Sequence, residues 1–191
     1  MGKLDRRVAI VTGSAAGIGA ETARWLAREG ATVMLADINV PAAEEVAAEI
    51  TRAGGNTHAY AVDISDEASV RSFYSEVTSR HGPVRVLHNN AFDSGTDTLD
   101  NDRDVASIDV ENWDRTFAVN TRGTMLMTKY ALPSMVHAGG GSIINTSSAA
   151  AVVADVWRPA YGASKSALHA FTRSVATQYG KLNVRCNTKS R

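Results

Sequence analysis

A single cysteine, Cys186, occurs in 191 residues, so the chain has no internal disulfide framework. Cys186 reads instead as a small apolar residue within a strand. Neither sign of charge is in excess, with 20 Lys+Arg against 20 Asp+Glu. A balanced chain offers no electrostatic footprint for nucleic acid or an anionic membrane surface. No apolar run approaches the length of a membrane span. The opening MGKLDRRVAIVTG passes from charges into a short apolar run, with no long apolar core followed by a small-residue cleavage site. Gly2 lacks the partner that myristoylation wants, because Arg6 stands where the motif has Ser or Thr. These absences point to a soluble, intracellular, cytoplasmic protein with no membrane or nucleic-acid partner. Internal repeats, linkers and low-complexity segments are also missing, and the length suits one domain over 1–191.

What the chain does have is alternation. Apolar runs at 7–12, 32–36, 57–62 and 84–88 are separated by helical stretches at 18–29, 41–53 and 66–80. Gly30, Gly54-Gly55 and Gly82-Pro83 end those helices, Pro41 suits a first turn, and Ser65 or Asp66 caps the third. A longer helix is expected over 111–136, bent near Asn120, and fifth and sixth strands at 142–146 and 183–187 flank a helix that ends at Tyr179. Strand and helix joined by short connections build a parallel sheet through right-handed crossovers. The expected fold is α/β: a doubly wound parallel sheet in three α/β/α layers, the Rossmann arrangement. The stretch 93–109 breaks the alternation. Its six aspartates read as a solvated loop or short irregular helix, without the spacing of a metal site.

Between the first strand and the first helix lies Thr12-Gly13-Ser14-Ala15-Ala16-Gly17-Ile18-Gly19. In that context Gly13 permits a tight turn, Gly17 lets a pyrophosphate approach the backbone, and Gly19 allows the helix to pack closely on the strand. The helix N-terminus adds free N–H groups and the positive end of its dipole. Asp37 closes the second strand 18 residues beyond Gly19. A carboxylate there accepts hydrogen bonds from an adenosine ribose and repels a 2′-phosphate, and Ile38-Asn39-Val40 brings no cation to offset it. The expected cofactor is therefore NAD, with NADP the alternative.

Tyr161 and Lys165 stand four apart in an apolar-periodic segment, which places them on one helix face. A free phenol titrates near 10, and a neighbouring ammonium favours its ionised form, as a proton shuttle near neutrality requires. Taken in order, TGxxxGIG at 12–19, Asn89-Asn90-Ala91 and Tyr161-Gly-Ala-Ser-Lys165 make the chain resemble the short-chain dehydrogenase/reductase family from Arg7 to about Asn187. The resemblance implies Tyr161 as general acid/base and Lys165 as its activator and as a contact to the nicotinamide ribose. It implies Ser148 on the substrate oxygen, Ser147 facing the other way, and Asn120 holding a water in a proton relay with Lys165. Cofactor contacts would come from Gly13, Ser14, Ala16, Gly17, Ile18, Gly19, Asp37, Ile38, Asp63, Ile64, Asn90 and Ala91, together with Tyr161 and Lys165. No metal is implied.

Two positions depart from the family pattern. Phe92 follows Asn-Asn-Ala where glycine is usual. After Asn187 come Thr-Lys-Ser-Arg rather than the Pro-Gly turn, substrate-covering segment and seventh strand of the family, so the chain reads as C-terminally incomplete. The expected function is NAD-dependent hydride transfer between a nicotinamide and a secondary alcohol or ketone. The alternative is a catalytically silent cofactor-binding or interaction module. Trp157 and Val152-Val153 suggest an apolar substrate lining, and the family's habit implies a homodimer or homotetramer through the long helix and the Tyr161 helix.

Overall fold

The computed structural model describes residues 2–154 and 156–190. Its innermost element is β1 (Val8–Thr12), buried at every position, as suits a β-branched run covered on both faces. There follow α1 (Gly17–Arg28), β2 (Thr32–Asp37), α2 (Val40–Arg52), β3 (Asn56–Ala61), α3 (Glu67–His81) and β4 (Val84–Asn89). Local chemistry sets the boundaries. Asn39 accepts from the Ala42 N–H to start α2, and Asp66 rather than Ser65 starts α3 by accepting from Ala68 and Ser69.

All six strands pair in parallel in the order β3-β2-β1-β4-β5-β6, with β5 at Gly141–Thr146 and β6 at Val184–Lys189. The chain grows outward from β1 in one direction and then crosses back to grow in the other. The crevice at that reversal lies between the ends of β1 and β4, where an open α/β sheet binds ligands. Alternation along the strands feeds two cores. Ala9 and Val11 pack on one face with Ala20, Ala23 and Ala27 of α1 and Val46 and Ile50 of α2. Ile10 and Leu87 face the other way, among side chains of α3 such as Phe73 and the later helices. Cys186 is buried in β6, as a small apolar residue would be.

The helix expected over 111–136 is three pieces: α5 (Val110–Phe117), a π-helical turn at Ala118–Gly123 and α6 (Thr124–His137). The bend foreseen at Asn120 is this widened turn, and such bulges concentrate at functional sites. It passes close to the start of the third crossover, just after β3, because a Cβ on Gly123 would stand 2.8 Å from the Ile64 side chain. No helix among the described residues is long and apolar enough to cross a membrane.

The acidic stretch is more ordered than its composition suggests. It contains α4 (Thr96–Asn101), and two of its aspartates are not solvated. Asp93 accepts from Arg115 Nε at 2.6 Å, from Thr98 Oγ1 and from the Gly95 N–H. Asp102, only 2 % exposed, points into the start of α7 (Pro159–Tyr179). Buried carboxylates are tolerated where several donors replace water, and both have them.

Candidate active site

Thr12, the last residue of β1, is the hub of the crevice. Its Oγ1 accepts from the N–H groups of Asn90 and Ala91, each at 3.0 Å. Asn90 returns its side-chain amide to the carbonyls of Thr12 and Gly13, at 3.2 and 3.0 Å. Four hydrogen bonds thus lock the turn after β1 to the turn after β4. Gly19 is required by the same closeness, since a Cβ there would overlap the Gly13 carbonyl oxygen. Gly17 differs: its φ is +55° and nothing lies within 4 Å of where a Cβ would project. The α1 N-terminus therefore opens onto free space, with no side-chain cap and no acidic residue in its first turn. Ser14 Oγ is buried here with no hydrogen-bond partner among the described residues. An open helix end, a small-residue turn and an orphan hydroxyl form the donor set that a diphosphate fits.

Asp37 ends β2 beside this loop. One oxygen accepts from the Ala15 N–H at 2.8 Å and the other from the Asn39 N–H at 2.9 Å. Each carboxylate oxygen keeps a second lone pair for a ligand hydroxyl. Ile38 next to it is 77 % exposed, an apolar surface at the mouth of the crevice. Asp63 is exposed, with Oδ1 accepting from both the N–H and the hydroxyl of Ser65, whereas Ile64 is buried against the π-helical turn.

Tyr161 and Lys165 lie on successive turns of α7, as their spacing required. Lys165 is 2 % exposed and donates to the Thr146 carbonyl at 2.9 Å. Burial pushes its ammonium down from the usual 10.5 to about 8. Its Nζ lies 5.8 Å from the Tyr161 ring centroid and 5.6 Å from that of Phe92, and the Phe92 ring meets the Tyr161 ring edge-on at 6.1 Å. Phe92, 40 % exposed, thus stands as a wall beside the pair.

The two serines separate by face. Ser147 is buried against α7, bonded to the Lys165 carbonyl and to His169 Nε2, while Ser148 is partly open and accepts from the Ala150 N–H at 3.2 Å. Asn120 is in place but engaged differently from the relay the family implies. Its Oδ1 accepts from the Asp93 N–H at 2.9 Å and its Nδ2 donates to Ser164 Oγ at 3.0 Å. Ser164 in turn donates to the Tyr161 carbonyl at 2.8 Å. The Asn120 side chain thus braces the turn of α7 that carries Tyr161, through bonds that do not involve Lys165.

A family model described as short chain dehydrogenase matches residues 7–189. The chain belongs to the short-chain dehydrogenase family. A 7alpha-hydroxysteroid dehydrogenase of Clostridium sardiniense is 37% identical over 187 residues, covering 98% of this chain and 70% of that protein. Among solved structures, NAD+-bound xylitol dehydrogenase superposes with a TM-score of 0.92 at 30% identity, covering 98% of this chain and 70% of that one. A metagenomic short-chain oxidoreductase in complex with NADP gives 0.87 at 33% identity, covering 98% and 82%. The chain spans about two thirds of the length of the curated relatives it matches.

Contacts join Asn90 and Ala91 to Thr12 and Gly13, Asp37 to Ala15, Lys165 to Phe92 and Tyr161, and Asn120 through Ser164 to Tyr161, while Ser148 follows β5 and is tied to Ala150. Sequence reasoning missed Asp93, Asp102 and Ser164, which touch the site from behind. One signal was available for Asp102. The residue before Pro159 is Arg158, which cannot cap a helix well, so the cap of α7 had to come from elsewhere in the chain.

Proposed function

We propose that the chain is an NAD-dependent oxidoreductase that moves hydride between a nicotinamide and a secondary alcohol or ketone. The observation that carries this reading is the Tyr161–Lys165 pair, set beside a crevice whose glycine loop, open helix end and orphan Ser14 hydroxyl fit a dinucleotide. The pyrophosphate would rest on Gly13–Gly19 and the α1 N-terminus, with Ser14, Ala16, Gly17 and Ile18 lining it. Asp37 would take the adenosine ribose hydroxyls, and Ile38, Asp63 and Ile64 would flank the adenine. Asn90, Ala91 and Lys165 would frame the nicotinamide riboside. The cofactor supplies the hydride chemistry.

The chain's own groups handle the proton. Tyr161 Oη gives it to, or takes it from, the substrate oxygen. Lys165 holds its buried Nζ 5.8 Å from the Tyr161 ring centroid, where its charge would support the proton transfer at Tyr161 Oη. Ser148 donates its hydroxyl proton to the same substrate oxygen while its own oxygen keeps accepting from the Ala150 N–H. Phe92 and the exposed Val152, Val153 and Trp157 give the substrate side an apolar rim. This suits a ring or aliphatic alcohol, and a relative named as a 7alpha-hydroxysteroid dehydrogenase supports the ring alcohol. The preference for NAD rests on Asp37. A cytoplasmic homodimer or homotetramer formed through α5, α6 and α7 belongs to the same reading, because Phe117, Met125 and Phe171 line a surface groove there. Light scattering tests it.

The decisive assay follows nicotinamide absorbance with a panel of secondary alcohols and ketones, comparing the unmodified chain with Tyr161→Phe. Removing a general acid/base is expected to lower kcat by about 10²- to 10⁴-fold. Undiminished turnover in Tyr161→Phe would sink the mechanism. Tight cofactor binding without turnover of any substrate would make the chain a binding module instead.

A further inference from the structure

Helix α7 begins without a cap of its own. Its N-cap residue, Arg158, makes no side-chain bond to the helix and is held at φ +68°, in the left-handed region. That conformation is unfavourable for a residue with a side chain, and more so for one preceding a proline. Pro159 has no N–H, so the next two N–H groups, of Ala160 and Tyr161, are those that need acceptors. Both are taken by a single carboxylate from far away in the sequence. Asp102 Oδ1 accepts from Ala160 at 3.0 Å and Oδ2 from Tyr161 at 2.8 Å, while the Asp102 carbonyl accepts from the Arg158 N–H at 2.8 Å. The following N–H, of Gly162, closes onto the Arg158 carbonyl and the helix continues.

We propose that Asp102 is a positioning residue for the reaction: its carboxylate fixes the backbone of Tyr161 and so sets where the phenol stands relative to Lys165 and the substrate. The proposal rests on the oxidoreductase reading for its kinetic consequence, but not for its structural one. Among the described residues Asp102 bonds to Arg158, Ala160 and Tyr161 and not to the glycine loop or Asp37, so its loss is expected to disturb turnover more than cofactor binding.

The test compares the unmodified chain with Asp102→Asn, which is nearly isosteric but replaces one acceptor oxygen with a donor, and with Asp102→Glu. Asp100→Asn, on the exposed side of the same segment, is the control. Amide exchange at Ala160 and Tyr161 is read by NMR, together with the cofactor Kd and kcat. The expected result for Asp102→Asn is faster exchange at these two amides, and kcat lower by about 10- to 100-fold, the scale of a small misplacement of a catalytic group, with the cofactor Kd changed by a smaller factor than kcat. Asp102→Glu is expected to restore part of both the protection and kcat, and Asp100→Asn to change neither. Unchanged exchange in Asp102→Asn overturns the cap. Faster exchange with full kcat overturns the positioning role. If the unmodified chain turns over no substrate, the oxidoreductase reading fails on its own, and amide exchange with the Tyr161 ring resonances still decides whether Asp102 holds Tyr161.

Discussion

Burying the Lys165 ammonium is costly, and the cost has a defined pH signature. The unfolded side chain titrates near 10.5 and the folded one at about 8, and a tenfold change in proton affinity corresponds to about 1.4 kcal/mol. Between those two values the unfolded chain binds more protons, so stability rises with pH from about 8 to 10.5 and sits at a constant lower level below 8. Lys165→Met is therefore expected to abolish turnover yet stabilise the fold by about 1–3 kcal/mol at pH 7, a gain that disappears near pH 10.5. Urea titrations at the two pH values check it. His88 has the same sign of shift in a lower window. Its Nε2 pairs with Thr146 Oγ1 at 2.9 Å, its Nδ1 has no partner among the described residues, and burial pushes it from 6.5 down to about 4. Below pH 6.5 the unfolded chain gains a proton that the folded chain refuses. Stability is expected to fall by roughly 3 kcal/mol between pH 6.5 and 4, and His88→Gln to flatten that part of the curve.

Among the elements, the π-helical turn has the narrowest tolerance. A methyl at Gly123 would come within 2.8 Å of two Ile64 side-chain carbons and 3.1 Å of the Ile64 carbonyl oxygen. Gly123→Ala is expected to cost about 1–3 kcal/mol as an overpacking change. By displacing Ile64 it is also expected to weaken cofactor binding more than a core change of similar cost outside the site, such as Val77→Ala on α3; calorimetry on both variants separates the two effects. Elements of this kind mark how far the sequence could be read. β1, α1 and the glycine turn were legible because their requirements are local: a β-branched run, a 3.6-residue period, a residue tolerant of positive φ. The bend at Asn120 was legible as a position, but not as a π turn, because the neighbour packed against that turn at Gly123 is Ile64, 59 residues earlier in the chain. Asp93 and Asp102 were illegible for the same reason. An aspartate in a polar stretch looks solvated until the distant N–H groups and the Arg115 guanidinium that desolvate it are in place.

At the scale of the whole molecule, the site is a convergence of strand ends. Thr12 and Asp37 end β1 and β2, Asn90 and Ser148 follow β4 and β5, and Tyr161 is supplied by α7. Their mutual placement depends on register, and a buried polar chain guards it. Asn89 Nδ2 donates to Asn145 Oδ1 at 2.8 Å and to Thr128, and Asn145 Nδ2 donates to Thr172 at 2.9 Å. A one-residue slip of β5 would put Ile144 where Asn145 belongs and strand these amides. A ligand that bridges so many strand ends binds only the assembled sheet, so it should act on global stability. A dinucleotide at 100 times its Kd is expected to add about 2.7 kcal/mol to unfolding. Thermal melts at equal concentrations of NAD and NADP should shift more with NAD if Asp37 selects as proposed.

The central place of β1 also carries a cost in time. Its five buried residues pair on one side with β2, which begins 20 residues later, but on the other with β4, which begins only at Val84. At ribosomal speeds of about 5–20 residues per second, that second edge stays open for roughly 4–14 s while the intervening chain is made. An apolar strand with an unfilled edge is the surface that recruits other nascent chains. The strand that organises the finished molecule is thus also the one most in need of protection during synthesis.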